Sequence, residues 1–425
     1  MSGANVPLRT HDVQRAPETI DVSTAVRQLP PMASRPLDGI LVLSLEHAVA
    51  APFCSRQLAD YGARVIKIER PGAGDFARHY DAAVNGLSSY FVWLNRSKES
   101  LTLDVKHPAA RGVLDALLPR VDVLIQNLAP GAATRLGLDY TTLSPRFPRL
   151  IVVDISGYGD TGPFRDKKAY DLLVQAEAGL VSVTGSPDTP SRCGVSIADI
   201  AAGMYAYSGT LTALFQRERT GRGTRVEVSM LEALSEWMSQ PRYFADGTGS
   251  APPRSDASHP SIAPYGPHRA GDGHDVLFGI QNEREWTRFC ADVLHDATIA
   301  TDARFATNPN RVANRPALTQ TIESAFSSNT AAQVTDALDR AGIANGRVND
   351  VGEIRNHEQL GARDRWRSVD SSAGPIDAAL PPANLDGVES FMGAIPEAGT
   401  HTDALLRELG FSSERVAALR EAGAI

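Results

Sequence analysis

Cysteine is scarce in this sequence. Only three occur among 425 residues, at Cys54, Cys193 and Cys290. They lie far apart and form neither a CxxC pair nor a Cys/His ligand spacing, so the sequence supports neither a disulfide framework nor a zinc site. This cysteine usage fits a reducing compartment, and we predict a cytoplasmic protein without a bound metal.

Long apolar runs and an excess of basic charge are also missing. No segment sustains the roughly 18 apolar residues of a membrane span, and the start of the chain lacks the apolar core of a signal peptide. The 42 Lys and Arg against 50 Asp and Glu give a formal charge of -8. This balance argues against a nucleic-acid footprint or an anionic-membrane patch. We therefore predict a soluble protein that binds neither nucleic acid nor membrane.

The order of the apolar runs predicts an open parallel sheet. Short β-branched runs alternate with helical patterns at residues 40–43 (strand), 52–58 (helix), 65–68 (strand), 107–118 (helix), 123–125 (strand) and 150–153 (strand). This alternation is typical of parallel strands joined by right-handed crossovers. We predict an α/β fold whose large domain is a doubly wound, Rossmann-like sheet. Substrates on such sheets gather beyond the carboxyl ends of the strands.

Composition shifts predict how the chain is divided. Residues 247–273 are dense in Gly, Pro, Ser and Asp, which is typical of a long connection with turns rather than core. The predicted parts are a flexible N-terminal arm (1–36), the first part of the large domain (37–225), a linker with a smaller α+β domain (226–345), and a return segment that completes the large domain (346–425).

The stretch 156–185 carries the strongest sign of chemistry. It leaves a buried-type strand, passes through a glycine-punctuated loop and places Asp171 at the mouth of a helix. The helix dipole and free amide donors favour the anion of such a carboxylate by roughly 0.3–1 kcal/mol. An ionised Asp is a competent nucleophile, although Asp is also a common helix cap. Position alone leaves both interpretations open.

Five ordered motifs connect this stretch to a known family. They are IERPGAGDFAR (68–78), LNRSKESLTLD (94–104), NLAPGAATRLGLDY (127–140), KKAYDLLVQAEAGL (167–180) and RTGRGTRVEVSMLEAL (219–234). Together with the ending GTHTDALLRELGFSSERVAALREAGAI, they resemble the successive signatures of family III CoA transferases, the CaiB/BaiF or formyl-CoA transferase type. The resemblance covers residues 37–425.

The resemblance implies an activity and a nucleophile. In this family the Asp of the Ala-Tyr-Asp motif carries the acyl group, and Asp171 occupies that position. The carboxylate attacks the thioester, releases CoA thiolate and leaves a mixed anhydride, which the thiolate converts to an aspartyl-CoA thioester. The implied substrate is a coenzyme A thioester, with no tightly bound cofactor. The implied assembly is a homodimer of interlocked chains.

The same resemblance implies sites for CoA. The phosphates of CoA need cations and backbone amides. The matching motif positions are Arg70, Lys98, Asn127 and Arg135, and the start of the first helix contributes Val49 and Ala50. Arg78 and Arg96 are further cations within the motifs. A solvated surface charge or ordinary helix packing is the alternative at each position.

The loop glycines are candidates for oxyanion donors. Gly157, Gly159, Gly162 and Gly185 free the backbone to direct amides inward, although most glycines of this kind are simply turn residues. Tyr158 precedes Gly159, and in the family this neighbourhood adjoins the nucleophile. We therefore predict that Tyr158 and Gly159 contact the substrate.

The small-domain sequence bears on the substrate. Formyl-CoA and oxalate enzymes of the family carry a glycine-rich loop there, and this chain has no run of consecutive glycines. Its segment 259–273 looks more like relatives acting on C4 and C5 dicarboxylates such as succinate, itaconate, mesaconate or citramalate. His259, Tyr265 and His268 are candidates for binding a second carboxylate, although a lone loop histidine is often only a surface residue.

Three other functions are weighed against transfer. An acyl-CoA racemase of the same superfamily uses a histidine before the nucleophile, and no histidine lies within residues 157–170. A non-catalytic CoA-binding homologue has no need to retain Asp171. A NAD-dependent dehydrogenase needs a GxGxxG turn after the first strand, where this chain has HAVAA.

Overall fold

Eleven β-strands occur in residues 35–425, the part of the chain that the computed structural model describes. The strands are β1 (Leu41–Leu45), β2 (Arg64–Glu69), β3 (Lys98–Thr102), β4 (Val123–Gln126), β5 (Ile151–Ser156), β6 (Arg225–Ser229), β7 (Tyr265–Arg269), β8 (Asp275–Gly279), β9 (Ala344–Arg347), β10 (Trp366–Val369) and β11 (Ile376–Ala379). The arm predicted for residues 1–36 lies outside the described residues up to residue 34.

Seventeen α-helices accompany these strands within the same range. They are α1 (Ala50–Asp60), α2 (Ser89–Asn95), α3 (Ala110–Leu117), α4 (Ala132–Leu136), α5 (Tyr140–Leu143), α6 (Asp171–Glu177), α7 (Leu180–Val183), α8 (Ile197–Thr220), α9 (Met230–Trp237), α10 (Ser239–Thr248), α11 (Glu283–Arg288), α12 (Asn308–Ala313), α13 (Arg315–Phe326), α14 (Ala331–Arg340), α15 (Glu358–Ala362), α16 (Thr402–Glu408) and α17 (Ser413–Glu421).

Six strands form one parallel sheet in the order β3-β2-β1-β4-β5-β6. This is the order of a doubly wound nucleotide-binding fold, which confirms the predicted α/β fold with a doubly wound parallel sheet. The strand order reverses between β1 and β4, where Val42 pairs with Val123. Ligands bind such sheets in the crevice beyond this reversal, so the loops after β1 and β4 are placed to form a site.

Each face of the sheet is covered by apolar residues. Successive strand residues point to opposite faces, so Val42 belongs to one core and Leu43 to the other. The first core lies under α1 and α8. The second includes Leu405 and Leu406 of α16, so the end of the chain packs on the large sheet.

Helices α1 and α8 pack at close range because small residues line α8. A Cβ atom at Gly203 would lie 2.7 Å from the carbonyl oxygen of Ala50, and Ala201, Ala202 and Ala206 are buried. The contact matters for the site because it fixes the start of α1 beside the first turns of α8.

Strands β7, β8 and β9 form a separate antiparallel sheet. Its core includes Phe278, Trp286, Phe289 and Phe326. The prediction that residues 247–273 form a connection is partly wrong, since β7 lies within them and pairs with β8. The Pro and Gly of its sequence, YGPHR, hid this strand. The domain division itself stays a prediction, and β6 spans its boundary at residue 225.

Candidate active site

Asp171 is the first residue of α6 and sits at the end of the loop that follows β5. Its Oδ1 accepts hydrogen bonds from the backbone amides of Ala198 at 2.8 Å and Asp199 at 3.3 Å. Its Oδ2 accepts one from Nε2 of Gln175 at 2.6 Å. The amide donors expected for this carboxylate therefore come from the first turn of α8 and not from its own helix.

These contacts favour the carboxylate anion. Three N–H donors stabilise the charged form of a carboxyl group. A carboxylate has about four lone-pair positions, and the described residues fill three of them. Asp171 thus caps α8, whose N-cap residue Ser196 makes no side-chain cap, and it still has an unfilled lone pair.

Gln175 fixes the orientation of the Asp171 side chain. It is fully buried, and its Oε1 accepts a hydrogen bond from the Cys193 amide at 2.9 Å. That contact assigns the amide group, so Nε2 faces Asp171. Sequence analysis missed Gln175, although its position four residues after Asp171 on one helix face is a usable signal.

Asp199 is a second carboxyl group beside Asp171. It lies in the first turn of α8 and is partly buried. Burial, followed by the negative charge of Asp171, raises the pKa of Asp199 to about 7. Sequence analysis missed this residue because its neighbour lies 28 positions away in the chain.

The loop between β1 and α1 is held by side chains from two other segments. Asn127, after β4, accepts from the His47 amide and donates to the His47 carbonyl, both at 2.9 Å. Ala48 has a φ of 62°, which is strained for a residue with a Cβ atom. Its amide donates to Oδ1 of Asp75 at 3.2 Å. Val49 and Ala50 begin α1 with buried side chains, so only their backbone is positioned to meet a ligand.

A network of buried charges lies beneath this loop. Lys67 donates to Asp75 at 2.8 Å and to Glu46 at 3.3 Å. Lys98 donates to Glu46 at 2.7 Å, and its other contacts are Pro52 O and Asn95 Oδ1, both at 3.1 Å. Burial opposes ionisation of Glu46, but Lys98 and Lys67 outweigh it and lower its pKa to about 2. All three donors of Lys98 are committed within the chain, which favours support of the loop over ligand contact.

The other predicted cations divide into two groups. Arg96 pairs with buried Asp60 at 2.9 Å, and Arg78 pairs with Glu69 at 2.7 Å. Arg70 and Arg135 are exposed at the ends of β2 and α4. Within the described part of the chain Arg70 forms no ion pair, and Arg135 has only a 3.5 Å hydrogen bond to a backbone carbonyl. These two guanidinium groups are the ones left for an external anion.

The loop before α6 depends on glycine. A Cβ atom at Gly157 would lie 2.1 Å from that of Ala169, so only glycine lets the two ends of the loop meet. Gly159 has a φ of 90°, and its amide donates to Ser156 Oγ at 2.9 Å, so this amide is already used. The buried hydroxyl of Tyr158 has no hydrogen-bond partner among the described residues.

The small-sheet candidates occupy different environments. His259 and Tyr265 are partly buried and stack with ring centroids 5.3 Å apart. His268 is buried against Phe278, and burial lowers its pKa to about 4. A neutral ring can still donate a hydrogen bond, so the assignment of His268 to a substrate carboxylate stays a prediction.

Comparison with known proteins shows what this site belongs to. The family model described as CoA-transferase family III matches residues 37–402. The chain belongs to this family. This confirms the resemblance on which the nucleophile assignment rests, and it makes the protein a CoA-transferase.

Individual relatives agree with the family assignment. An acetyl-CoA:oxalate CoA-transferase of Acetobacter aceti is 39% identical over 330 residues, covering 77% of this chain and 84% of the relative. A succinyl-CoA–D-citramalate CoA-transferase of Chloroflexus aurantiacus is 35% identical over 340 residues, with coverages of 79% and 83%. The crystal structure of a CAIB/BAIF family protein from Brucella suis has a TM-score of 0.79 and 31% identity, covering 89% of this chain and all of that one.

As a family III CoA-transferase, the protein has a CoA thioester as a substrate. Among residues 35–425, no group of three potential metal-ligating side chains comes together. No helix in this range is both long and apolar enough to cross a membrane. Asp171 binds the first turn of α8, and α8 packs at Gly203 against Ala50 at the start of α1. Asn127 holds the loop that leads into Val49 and Ala50.

Proposed function

We propose that this transferase moves CoA between a CoA thioester and a free C4 or C5 dicarboxylic acid, with Asp171 as the covalent nucleophile. The observation that carries the proposal is the Asp171 carboxylate, which accepts three N–H donors and has a lone pair left over. It lies at the carboxyl end of β5, the edge of the sheet where ligands bind.

The chemistry proceeds by exchange of activated acyl bonds. A carboxylate oxygen of Asp171 forms a bond to the thioester carbon, the C–S bond breaks, and an aspartyl anhydride remains. The CoA thiolate attacks the aspartyl carbonyl, giving an aspartyl-CoA thioester and the free acid. The acceptor acid attacks this thioester and repeats the two steps in reverse order. Each step trades one activated bond for another, so no ATP is consumed.

Arg70 and Arg135 are proposed to bind the phosphates of CoA. Both guanidinium groups are exposed, and guanidinium is the side chain best suited to phosphate oxygens. The backbone of Val49 and Ala50 is proposed to meet the pantetheine chain, with Asn127 and Lys98 fixing the loop. Gly159 and Tyr158 are proposed to border the acyl group.

The substrate proposal rests on the small sheet and the relatives. Tyr265 lines a pocket of about 370 Å³ together with Asn282, whose side-chain amide can donate to a carboxylate. His259 stacks on Tyr265 beside this pocket. One relative acts on citramalate, a C5 diacid, and another on oxalate. A panel of succinate, citramalate, glutarate, oxalate and acetate as acceptors tests the choice, and a preference for oxalate or acetate contradicts it.

A homodimer is proposed as the active form. Several large apolar side chains are exposed on the single chain around the candidate site, including Tyr170, Leu172, Leu173 and Val195. Burial of such a patch against a second copy is favourable by roughly 25 cal/mol per Å². Sedimentation at equilibrium tests this, and a monomer that retains full activity contradicts it.

Trapping of the acyl-enzyme tests the nucleophile. Hydroxylamine added during turnover should modify the peptide that contains Asp171, as seen by mass spectrometry. Asp171→Ala should lose this modification and reduce exchange by on the order of 10⁴-fold or more. Asp336→Ala, at an exposed position on α14, is the matched control. Turnover that persists in the Asp171 variant would rule out the proposal.

A further inference from the structure

Asp199 and Asp171 are adjacent carboxyl groups with opposite surroundings. Asp171 accepts hydrogen bonds from Ala198, Asp199 and Gln175. Within residues 35–425, the Asp199 carboxyl group accepts none and forms no ion pair, although its own amide donates to Asp171. Donors favour an anion, and burial without donors favours the neutral acid. The pair is therefore suited to hold one negative charge, on Asp171, and one proton, on Asp199.

The electrostatic surroundings agree with this division. Burial is the larger cause of the raised pKa of Asp199 and the charge of Asp171 is the smaller, and together they raise it to about 7. The charge of Asp199 in turn contributes to the raised pKa of the Tyr80 phenol. The first turn of α1, which faces α8 at Gly203, carries no titratable side chain. Burial lowers the pKa of His47 in the preceding loop, and the charge of Asp75 opposes this shift.

We propose that Asp199 carries the proton exchanged with the CoA sulfur, an inference that rests on the proposed function of Asp171. When Asp171 takes the acyl group, the C–S bond breaks and the Asp199 O–H proton moves to the leaving sulfur. This gives CoA thiol and an Asp199 carboxylate. When the thiol then attacks the aspartyl carbonyl, Asp199 takes the proton back from sulfur. One O–H bond and one S–H bond interchange, and no external acid is consumed.

The coupling between the two carboxyl groups determines at which step the proton leaves Asp199. Anhydride formation removes the negative charge of Asp171, and that charge is one of the two causes that keep Asp199 protonated. Asp199 thus becomes a stronger acid at the step at which the thiolate appears. A thiol such as that of cysteine has a pKa of about 8.5, so the proton moves to sulfur downhill. Asp199 acts as an acid in one step and as a base in the next.

The variant Asp199→Asn keeps the size of the side chain and removes its titration. In the wild type and in the control Asp336→Asn, kcat/KM for acyl-CoA should fall in one step as the pH rises through about 7, because Asp199 loses its proton. Asp199→Asn should be slower by about 100-fold at neutral pH and should lack this step. Asp199→Glu should restore the step. If Asp199→Asn keeps the pH step of the wild type, the inference is overturned, whatever the rate of the variant. A merely structural role would lower the rate without changing its pH dependence.

A direct titration does not depend on how the Asp199 variants fold. Carboxyl carbon NMR of the intact protein should show Asp199 titrating near pH 7 in wild type and at lower pH in Asp171→Asn. An Asp199 titration that is the same in both proteins overturns the coupling. Hydroxylamine trapping of Asp171 separates the two proposals: if Asp171 is trapped and Asp199→Asn behaves as wild type, only the proton carrier is wrong.

Discussion

Replacing Lys98 with Met tests whether the charges beneath the β1–α1 loop serve the structure or the ligand. Lys98 and Glu46 are both buried, with 2.7 Å between Nζ and Oε1. Methionine keeps the apolar stem and removes the ammonium group. Glu46 then retains Lys67 at 3.3 Å and Ser55 at 2.6 Å. Removing one partner of a buried ion pair costs about 3–5 kcal/mol of folding stability. Because Glu46 keeps two contacts, we expect a loss of about 3 kcal/mol for Lys98→Met.

Urea unfolding followed by circular dichroism measures this loss. With a urea m-value of about 3 kcal/mol per M, a loss of about 3 kcal/mol lowers the midpoint by about 1 M. The protein concentration must be held fixed because assembly contributes to stability. The double variant Glu46→Met with Lys98→Met should recover part of the loss, since no buried carboxylate is left without its partner and Lys67 still has Asp75 at 2.8 Å.

One result would refute this reasoning. If Lys98→Met unfolds at the same urea concentration as wild type while its KM for acyl-CoA rises, the ammonium group faces the ligand. Lys98 would then not make its three internal contacts in the active enzyme. The prediction from sequence that Lys98 binds CoA would be supported instead.

Three further changes test neighbouring features. Asp75→Asn removes the anion that holds Lys67 and the strained Ala48 amide. In steady-state assays we expect kcat/KM for acyl-CoA to fall by on the order of 10- to 100-fold. The KM for the acid should change far less. Arg70→Ala should raise the KM for acyl-CoA about 10-fold, and the difference from wild type should shrink as salt is added, because an exposed guanidinium–phosphate contact is screened. Asp199 has a raised pKa, so its contribution to stability is complete below its ordinary pKa and is lost as the pH rises through about 7. Asp199→Asn should therefore gain melting temperature relative to wild type above that pH, and a difference that is constant with pH would contradict the assignment.

Four strands of the large sheet could be predicted from the sequence because they are apolar runs. Strands β1, β2, β4 and β5 match the runs at 40–43, 65–68, 123–125 and 150–153. Strand β3 was not predicted, since its sequence, KESLT, looks polar. Lys98 and Ser100 are nevertheless buried, because Glu46, just after β1, and Glu69, at the end of β2, supply their partners. Hydropathy describes one residue at a time and carries no information about a partner across the sheet.

The place of Asp171 in the fold could be predicted from the sequence, whereas the partners of its carboxylate could not. The position of Asp171 at a helix start follows from the local sequence, and the family motif selects it from other acidic residues. The donors from α8 follow a loop and come from 27 and 28 residues further along the chain. The burial of Lys98 and Arg96 could not be predicted either, because their carboxylate partners are distant in the sequence. A charged residue in a motif has the same sequence signal whether it binds a ligand or an internal carboxylate.

The unequal donors to the two Asp171 oxygens bear on the order of events. Oδ1 accepts two backbone amides, and Oδ2 accepts one side-chain amide from Gln175. Backbone donors at a helix start are fixed in place, so they keep their contact as charge leaves the carboxylate. Oδ2 carries the unfilled lone pair and is the oxygen expected to bond to the acyl carbon. Oδ1 then becomes the carbonyl oxygen of the anhydride, and the tetrahedral intermediate formed by thiolate attack places its negative charge there. In the proposed mechanism, the two α8 amides that bind Oδ1 are thus positioned as an oxyanion site for the second half of the exchange, while Gln175 of α6 holds the other oxygen.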